Sequence, residues 1–127
     1  MGRINGDLLD RTFDFAVALL DLVESLPQNN KGWVLGKQVL RSGTSVGANL
    51  READFASSEV DFAHKCNIAL KESSETEYWL LLCRRAGLLQ GTAVNELISE
   101  ANELTRILVT ILKRTRKHVD ETARTMK

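Results

Sequence analysis

The sequence predicts an all-α protein, an up-down-up-down antiparallel four-helix bundle in which residues 1–127 form one domain. Three observations carry this. Pro27 is the only proline, so little interrupts helix formation. Apolar residues recur at spacings of three and four through four separate segments. The breaks between those segments are short, which makes consecutive helices antiparallel neighbours. The expected helices cover about 7–25, 32–55, 59–86 and 93–119. With 43% hydrophobic and 27% charged residues, the 127-residue chain has the composition of a globular domain with a real core.

Helix 1 is expected to start after Asn5 or Gly6, with Asp7 and Asp10 at its positive end. Leu9, Phe13, Ala16, Leu20 and Val23 form one apolar seam. Leu8, Phe15, Leu19 and Leu22 form a second, and two adjacent rows predict a wide buried face. Residues 26–30, Leu-Pro-Gln-Asn-Asn, end the helix and make the first loop.

Helix 2 begins near Lys31 to Trp33 and contains the stretch around which the chain is organised, Val39 to Ala53. Leu35, Val39, Val46, Leu50 and Ala53 share one face, within roughly 60° at 100° per residue. Arg41, Ser45, Asn49 and Glu52 make a polar strip beside it. Ser42, Gly43, Gly47 and Ala48 cover most of the remaining circumference with small side chains. Each of the two glycines costs about 1 kcal/mol against alanine in a helix interior. Close approach by neighbouring helices would offset that, so this helix is expected to be buried. The Gly43-to-Gly47 spacing also matches a membrane dimer motif, but no apolar span surrounds it.

The chain should turn at Phe55 to Ser58, where Ser57 or Ser58 followed by Glu59 and Asp61 reads as a helix start. Helix 3 carries two rows on well-separated sides: Ala63, Cys66, Leu70, Ser74, Glu77 and Leu81, then Ile68, Glu75, Trp79, Leu82 and Ala86. Burial of the second row by another subunit is the expected reason. Gly87 is placed as a C-cap before a loop through Thr92. Helix 4 has the cleanest pattern, with Val94, Leu97, Ala101, Leu104, Leu108 and Ile111 alternating by three and four. It is expected to run to Lys117 or beyond and to fray after Val119.

Lys plus Arg and Asp plus Glu number 17 each, so net charge points to no partner class. No apolar run approaches the ~20 residues of a membrane span, and the first residues lack a signal-peptide core or a myristoylation pattern. A cytoplasmic protein without membrane contact is expected. Cys66 and Cys83 lie about 25 Å apart along one helix, too far to pair, and are expected to be buried thiols of a reducing compartment. Asp61-x-x-His64 and His118-x-x-Glu121 fall short of the paired Glu-x-x-His sites of carboxylate metal bundles. No nucleophile–base pair, phosphate loop or zinc spacing is present. The expectation is therefore no metal, no cofactor and no enzymatic activity.

Two clusters remain. Arg41, Ser45, Asn49 and Glu52 of helix 2, with Glu75 or Glu77 of helix 3 facing Arg41, read as a structural polar network that fixes helix register. Glu77 sits in an apolar row, where an unpaired carboxylate is costly, so it is expected to need a cation. Arg41→Ala is then expected to destabilise strongly. The second cluster is basic. Arg106, Lys113, Lys117 and Arg124 fall within roughly 40° of one another, opposite the apolar row, with Arg114 nearby. Residues 104–127 hold seven Lys or Arg against Asp120 and Glu121, while residues 52–77 hold seven acids against Lys65 and Lys71.

The run from Arg41 to Glu52, Arg-Ser-Gly-Thr-Ser-Val-Gly-Ala-Asn-Leu-Arg-Glu, resembles the signature of the bacterial four-helix-bundle proteins noted in intervening sequences of 23S rRNA genes. Asn67-Ile68-Ala69-Leu70, Glu75-Thr76-Glu77 and the turn Ala86-Gly87-Leu88-Leu89 extend the likeness over most of the chain. Leu50 and Arg51 stand where isoleucine and alanine are commoner. The family is also similar to the accessory variability determinant proteins of diversity-generating retroelements. The resemblance implies a cytoplasmic homopentamer, often barrel-shaped and without catalysis, and in the retroelement branch a basic barrel working with a reverse transcriptase on nucleic acid. The reading is thus a non-catalytic oligomer that binds RNA or DNA backbone through Arg106, Lys113, Arg114, Lys117 and Arg124, as an accessory to a reverse transcriptase or another protein. The alternative is a protein-interaction scaffold without nucleic-acid binding.

Overall fold

Helix ends lie where short polar side chains and glycine can close them. The computed structural model describes residues 2–126, which form four α-helices and no strand. Helix α1 (Gly6–Val23) starts behind Asn5, whose side chain accepts the Asp7 N–H at 2.8 Å. Asn29 does the same for α2 (Asn30–Asp54), accepting the Gly32 N–H at 3.1 Å. Ser58 caps α3 (Glu59–Arg85) by accepting the Asp61 N–H at 3.0 Å, and the Asp61 carboxylate accepts the Ser57 N–H at 3.3 Å. Each cap satisfies a donor that the first helical turn leaves open. Past α3, Gly87 has φ +75°, its N–H donates to Arg84 O, and the Leu88 N–H donates to Cys83 O. This is a Schellman stop, and the left-handed residue it requires is a glycine. Helix α4 (Thr92–Thr125) stays helical past Val119, where the sequence reading expects fraying.

Cross-helix contacts give the direction of each element. Leu19 lies at Gly43 and Leu26 at Gly36, so α2 runs back along α1. Glu52 meets Lys65 while Arg41 meets Glu75, so α3 reverses α2. Ser73 meets Thr105 and Arg84 meets Asn95, so α4 reverses α3. The chain is therefore an up-down-up-down bundle, closed by a slighter contact between α1 and α4. No helix among the described residues is long and apolar enough to cross a membrane.

The core is built on Val39, Val46, Leu50 and Ala53 of α2, all fully buried. Gly32, Gly36, Gly43 and Gly47 share one stripe of about 60° that faces α1 and the loop after it. A Cβ on Gly43 would stand 2.1 Å from Leu19 Cδ1, and one on Gly32 would stand 1.8 Å from the Pro27 carbonyl oxygen. The glycines are what let the chain before α2 come this close.

Two elements depart from the expected patterns. In α1 the buried row is Leu8, Thr12, Phe15, Leu19 and Leu22, whereas Phe13, Val17 and Leu20 are 61%, 45% and 50% exposed. The second seam is the one buried at the core; of the first, Leu9 and Val23 pack partly against it while Phe13 and Leu20 face outward, because α2 and α4 together cover about one side of α1. In α3 the two rows are the flanks of one face. Its centre is Phe62, Cys66, Ala69, Ser73, Thr76, Leu80 and Cys83, lying angularly between them. One flank leans on α4, through Glu77 and Asn102, and the other on α2, through Glu75 and Arg41. Leu81 and Leu82, one from each row, stay 38% and 37% exposed.

Candidate nucleic-acid interface

The core row Val94, Ile98, Ala101, Leu104, Leu108 and Leu112 fixes α4 against the bundle and turns its opposite side to solvent. Arg106, Lys113, Lys117 and Arg124 lie on that side, and all four are exposed. Their stripe runs for about 27 Å at 1.5 Å per residue. Among the described residues, none of the four belongs to an ion pair. Beyond Leu112, among the described residues, only Thr115 and Val119 are half-buried. His118 Nε2 meets Glu59 Oε1 at 3.0 Å, tying α4 to the start of α3, and the last two turns reach past the bundle. Arg114 is also exposed but lies about 80° round the helix from the stripe. It lines a cleft with Arg3 and Phe62 instead. The five basic positions thus form a face of four and one outlier.

The acids of α3 do not form a matching open face. Glu72 and Glu75 both reach Arg41, and Glu75 Oε2 also accepts the Trp79 Nε1–H at 3.3 Å. Glu77 accepts from Asn102 Nδ2 at 3.2 Å, a neutral amide where a cation is expected. Half-buried rather than enclosed, this carboxylate keeps contact with water, so an amide suffices.

The six positions read as one polar network separate into four, of which Glu77 with Asn102 is one. Arg41 joins Gln38, Glu72 and Glu75. Glu52 pairs with Lys65 at 3.0 Å. Ser45 Oγ donates to Arg41 O at 2.6 Å and Asn49 Nδ2 donates to Ser45 O at 2.8 Å, bonds within their own helix. Arg41 is 47% exposed at its side chain, so this is a surface seam. The buried polar link between α2 and α3 is another pair, Thr76 Oγ1 donating to Ser42 Oγ at 2.9 Å. Glu72 is three residues from Glu75 and could have been assigned to the same face from spacing. Ser42 and Thr76 carry no such signal, since small hydroxyl residues are equally at home on a surface.

Arg11 bridges α1 and α4 through two bonds to Glu100, Nε to Oε2 at 2.7 Å and Nη2 to Oε1 at 2.8 Å. These bonds raise the guanidinium pKa above its ordinary value. Cys66 and Cys83 are buried thiols, and burial pushes Cys66 up to about 11. Among the described residues, no three of His, Cys, Asp and Glu converge as metal ligands.

The family model described as 23S rRNA-intervening sequence protein matches residues 5–110. The fold is similar to a crystal structure, at 1.70 Å, of a protein with unknown function from the S23 ribosomal protein family of Bacteroides thetaiotaomicron. The two share 42% identity and a TM-score of 0.78 over 84% of this chain and 98% of that chain. No curated protein matches the sequence. Of the basic stripe only Arg106 falls inside the matched span; Lys113, Lys117 and Arg124 lie beyond it.

Proposed function

The chain belongs to the 23S rRNA-intervening sequence protein family, and from that premise we propose that it is a non-catalytic oligomer that holds the phosphate backbone of RNA or DNA along α4. The observation that carries this reading is the exposed stripe of Arg106, Lys113, Lys117 and Arg124, unpaired among the described residues. Cations on a straight helix present a fixed row of donors to phosphate, and each contact releases a counterion. A stripe without stacking aromatics or base-reading side chains binds without sequence preference. Oligomerisation repeats the stripe and multiplies its contacts.

A salt titration of binding to a structured RNA and to a DNA duplex tests this. Affinity should fall steeply with salt. Lys113→Glu combined with Lys117→Glu should weaken binding of all sequences alike and flatten the slope by about 1–2. Absence of binding at about 50 mM salt would overturn the reading. That result would favour a protein-interaction scaffold, for which the exposed Phe13, Val17 and Leu20 of α1 provide the apolar surface.

A further inference from the structure

The tight α1–α2 contact leaves a gap on the other side of α1, where it faces α4. At the end of the bundle that holds the α3 N-terminus, this gap is a groove of two joined lobes. The first, about 390 Å³, has an apolar floor of Ile4, Leu8, Phe62, Ile107 and Ile111. The second, about 360 Å³, shares Arg3, Phe62 and Ile111 with it and is edged by Glu59, Arg114 and His118. Both volumes fall in the range of small-molecule sites, which are mostly apolar with a few placed polar groups.

The segment before α1 builds the cationic edge. Ile4 is buried, and its N–H donates to Asp54 Oδ1 at 2.7 Å, fixing the backbone there. Arg3 is thereby held with its guanidinium carbon 5.9 Å from the centre of the Phe62 ring. The charges around the groove can be assigned one by one. Glu59 is engaged by His118, and Arg11, at the far end, is engaged by Glu100. Asp7 lies in the first lobe, at the start of α1, and not in the second. Arg3 and Arg114 both edge the second lobe, and among the described residues neither belongs to an ion pair. Guanidinium groups recognise planar carboxylates by paired N–H donors.

We infer that this groove binds a small amphipathic monoanion, its carboxylate at Arg3 and Arg114 and its apolar body lying over Phe62, Ile111 and Ile107. Ile4, Leu8 and Ile107 line only the first lobe and Arg114 only the second, with Arg3 bordering both, so the apolar body lies in the first and the carboxylate at its junction with the second. A neutral ligand of the same length gains only the apolar half. An inorganic anion gains only the other. The site is separate from the stripe of Lys113 and Lys117, which lines neither lobe.

The five isoleucines make the test direct, because Ile4, Ile107 and Ile111 line the groove whereas Ile68 and Ile98 do not. With isoleucine methyl groups labelled in the full chain, decanoate is titrated and the methyl NMR resonances are followed. Saturable shifts of the first three, with the other two unmoved, are expected. Decanol should bind about tenfold more weakly, the size of a charge-assisted bond. Arg3→Gln with Arg114→Gln should bring decanoate down to the level of decanol. Equal binding of acid and alcohol, equal shifts at all five methyls, no saturation, or indifference to the double arginine variant would each overturn the inference.

Discussion

Arg41 spans the α2–α3 seam at the surface, and its exposure sets what it is worth. Exposed ion pairs contribute about 0–1 kcal/mol because water competes for both partners. Arg41→Ala should therefore lower stability by under about 1 kcal/mol, read from the urea midpoint at unchanged slope. This replaces the strong effect expected from sequence, which rested on a buried partner that the structure does not supply. Thr76→Val should cost about as much or more, about 0.5–1.5 kcal/mol, since it removes a hydrogen bond between fully buried hydroxyls. A loss for Arg41→Ala well above that for Thr76→Val would restore the network to the core. Cys66 gives a pH prediction. Its thiol is raised from 9.0 to about 11 by burial. The unfolded chain thus loses this proton first, and its contribution to stability is full below pH 9 and is lost as pH rises toward 11. Denaturant midpoints should be flat in this respect at pH 7–8 and fall by pH 10–11. Thiol reagents should meanwhile modify Cys66 and Cys83 only as fast as the chain opens, and rapid labelling of the folded protein would contradict their burial.

At the scale of the helices, what the sequence made legible was periodicity, and what it hid was whatever periodicity does not encode. The α2 face was readable because Val39, Val46 and Leu50 are large and regularly spaced. In α3 the middle of the buried face is Ala69, Ser73 and Thr76, small or hydroxyl-bearing, so the rows on its flanks stood out instead. In α1 two rows looked alike in composition, and only the position of α2 decides between them. The basic stripe on α4 was readable because rotation per residue is fixed along a helix. The pairing of Arg114 with Arg3 in one groove was not, since it depends on how the first residues cross the bundle end. The contact of α2 with the preceding chain yields a contrast between two glycines. Gly32→Ala places a methyl group against the Pro27 carbonyl, backbone that cannot rotate away, and should cost about 1–3 kcal/mol as an overpacked site does. Gly6→Ala meets nothing within 4 Å in the first turn of α1 and should be neutral or stabilising by up to about 1 kcal/mol. Thermal or urea unfolding of the two variants checks the order, and a Gly32→Ala protein as stable as the parent would show the loop to be adaptable.

For the whole molecule the question is what covers α1. Phe13, Val17 and Leu20 turn outward along one strip, 61%, 45% and 50% exposed, in a helix whose inner row alone completes the core. Apolar side chains that are scattered singly need no explanation, but a row of them on one helix face marks a surface used for association. A second copy of the chain is the occupant we propose, because the same strip on every copy then accounts for itself without another component. The mass in solution should accordingly be a multiple of the 14.2 kDa chain by light scattering. Phe13→Ser with Leu20→Ser should reduce it to a single chain while helical content is kept, since neither side chain belongs to the core. A parent protein that runs as a monomer at tens of micromolar, or an assembly untouched by the double variant, would rule the strip out. The same variant bears on the basic stripe. If copies present their α4 stripes together, phosphate contacts add across subunits and the salt slope of binding scales with their number. Dispersing the assembly should then flatten the slope by more than removing Lys113 and Lys117 from each chain does. A slope that survives dispersal would mean that one α4 stripe is enough to hold the nucleic acid and that assembly serves another purpose.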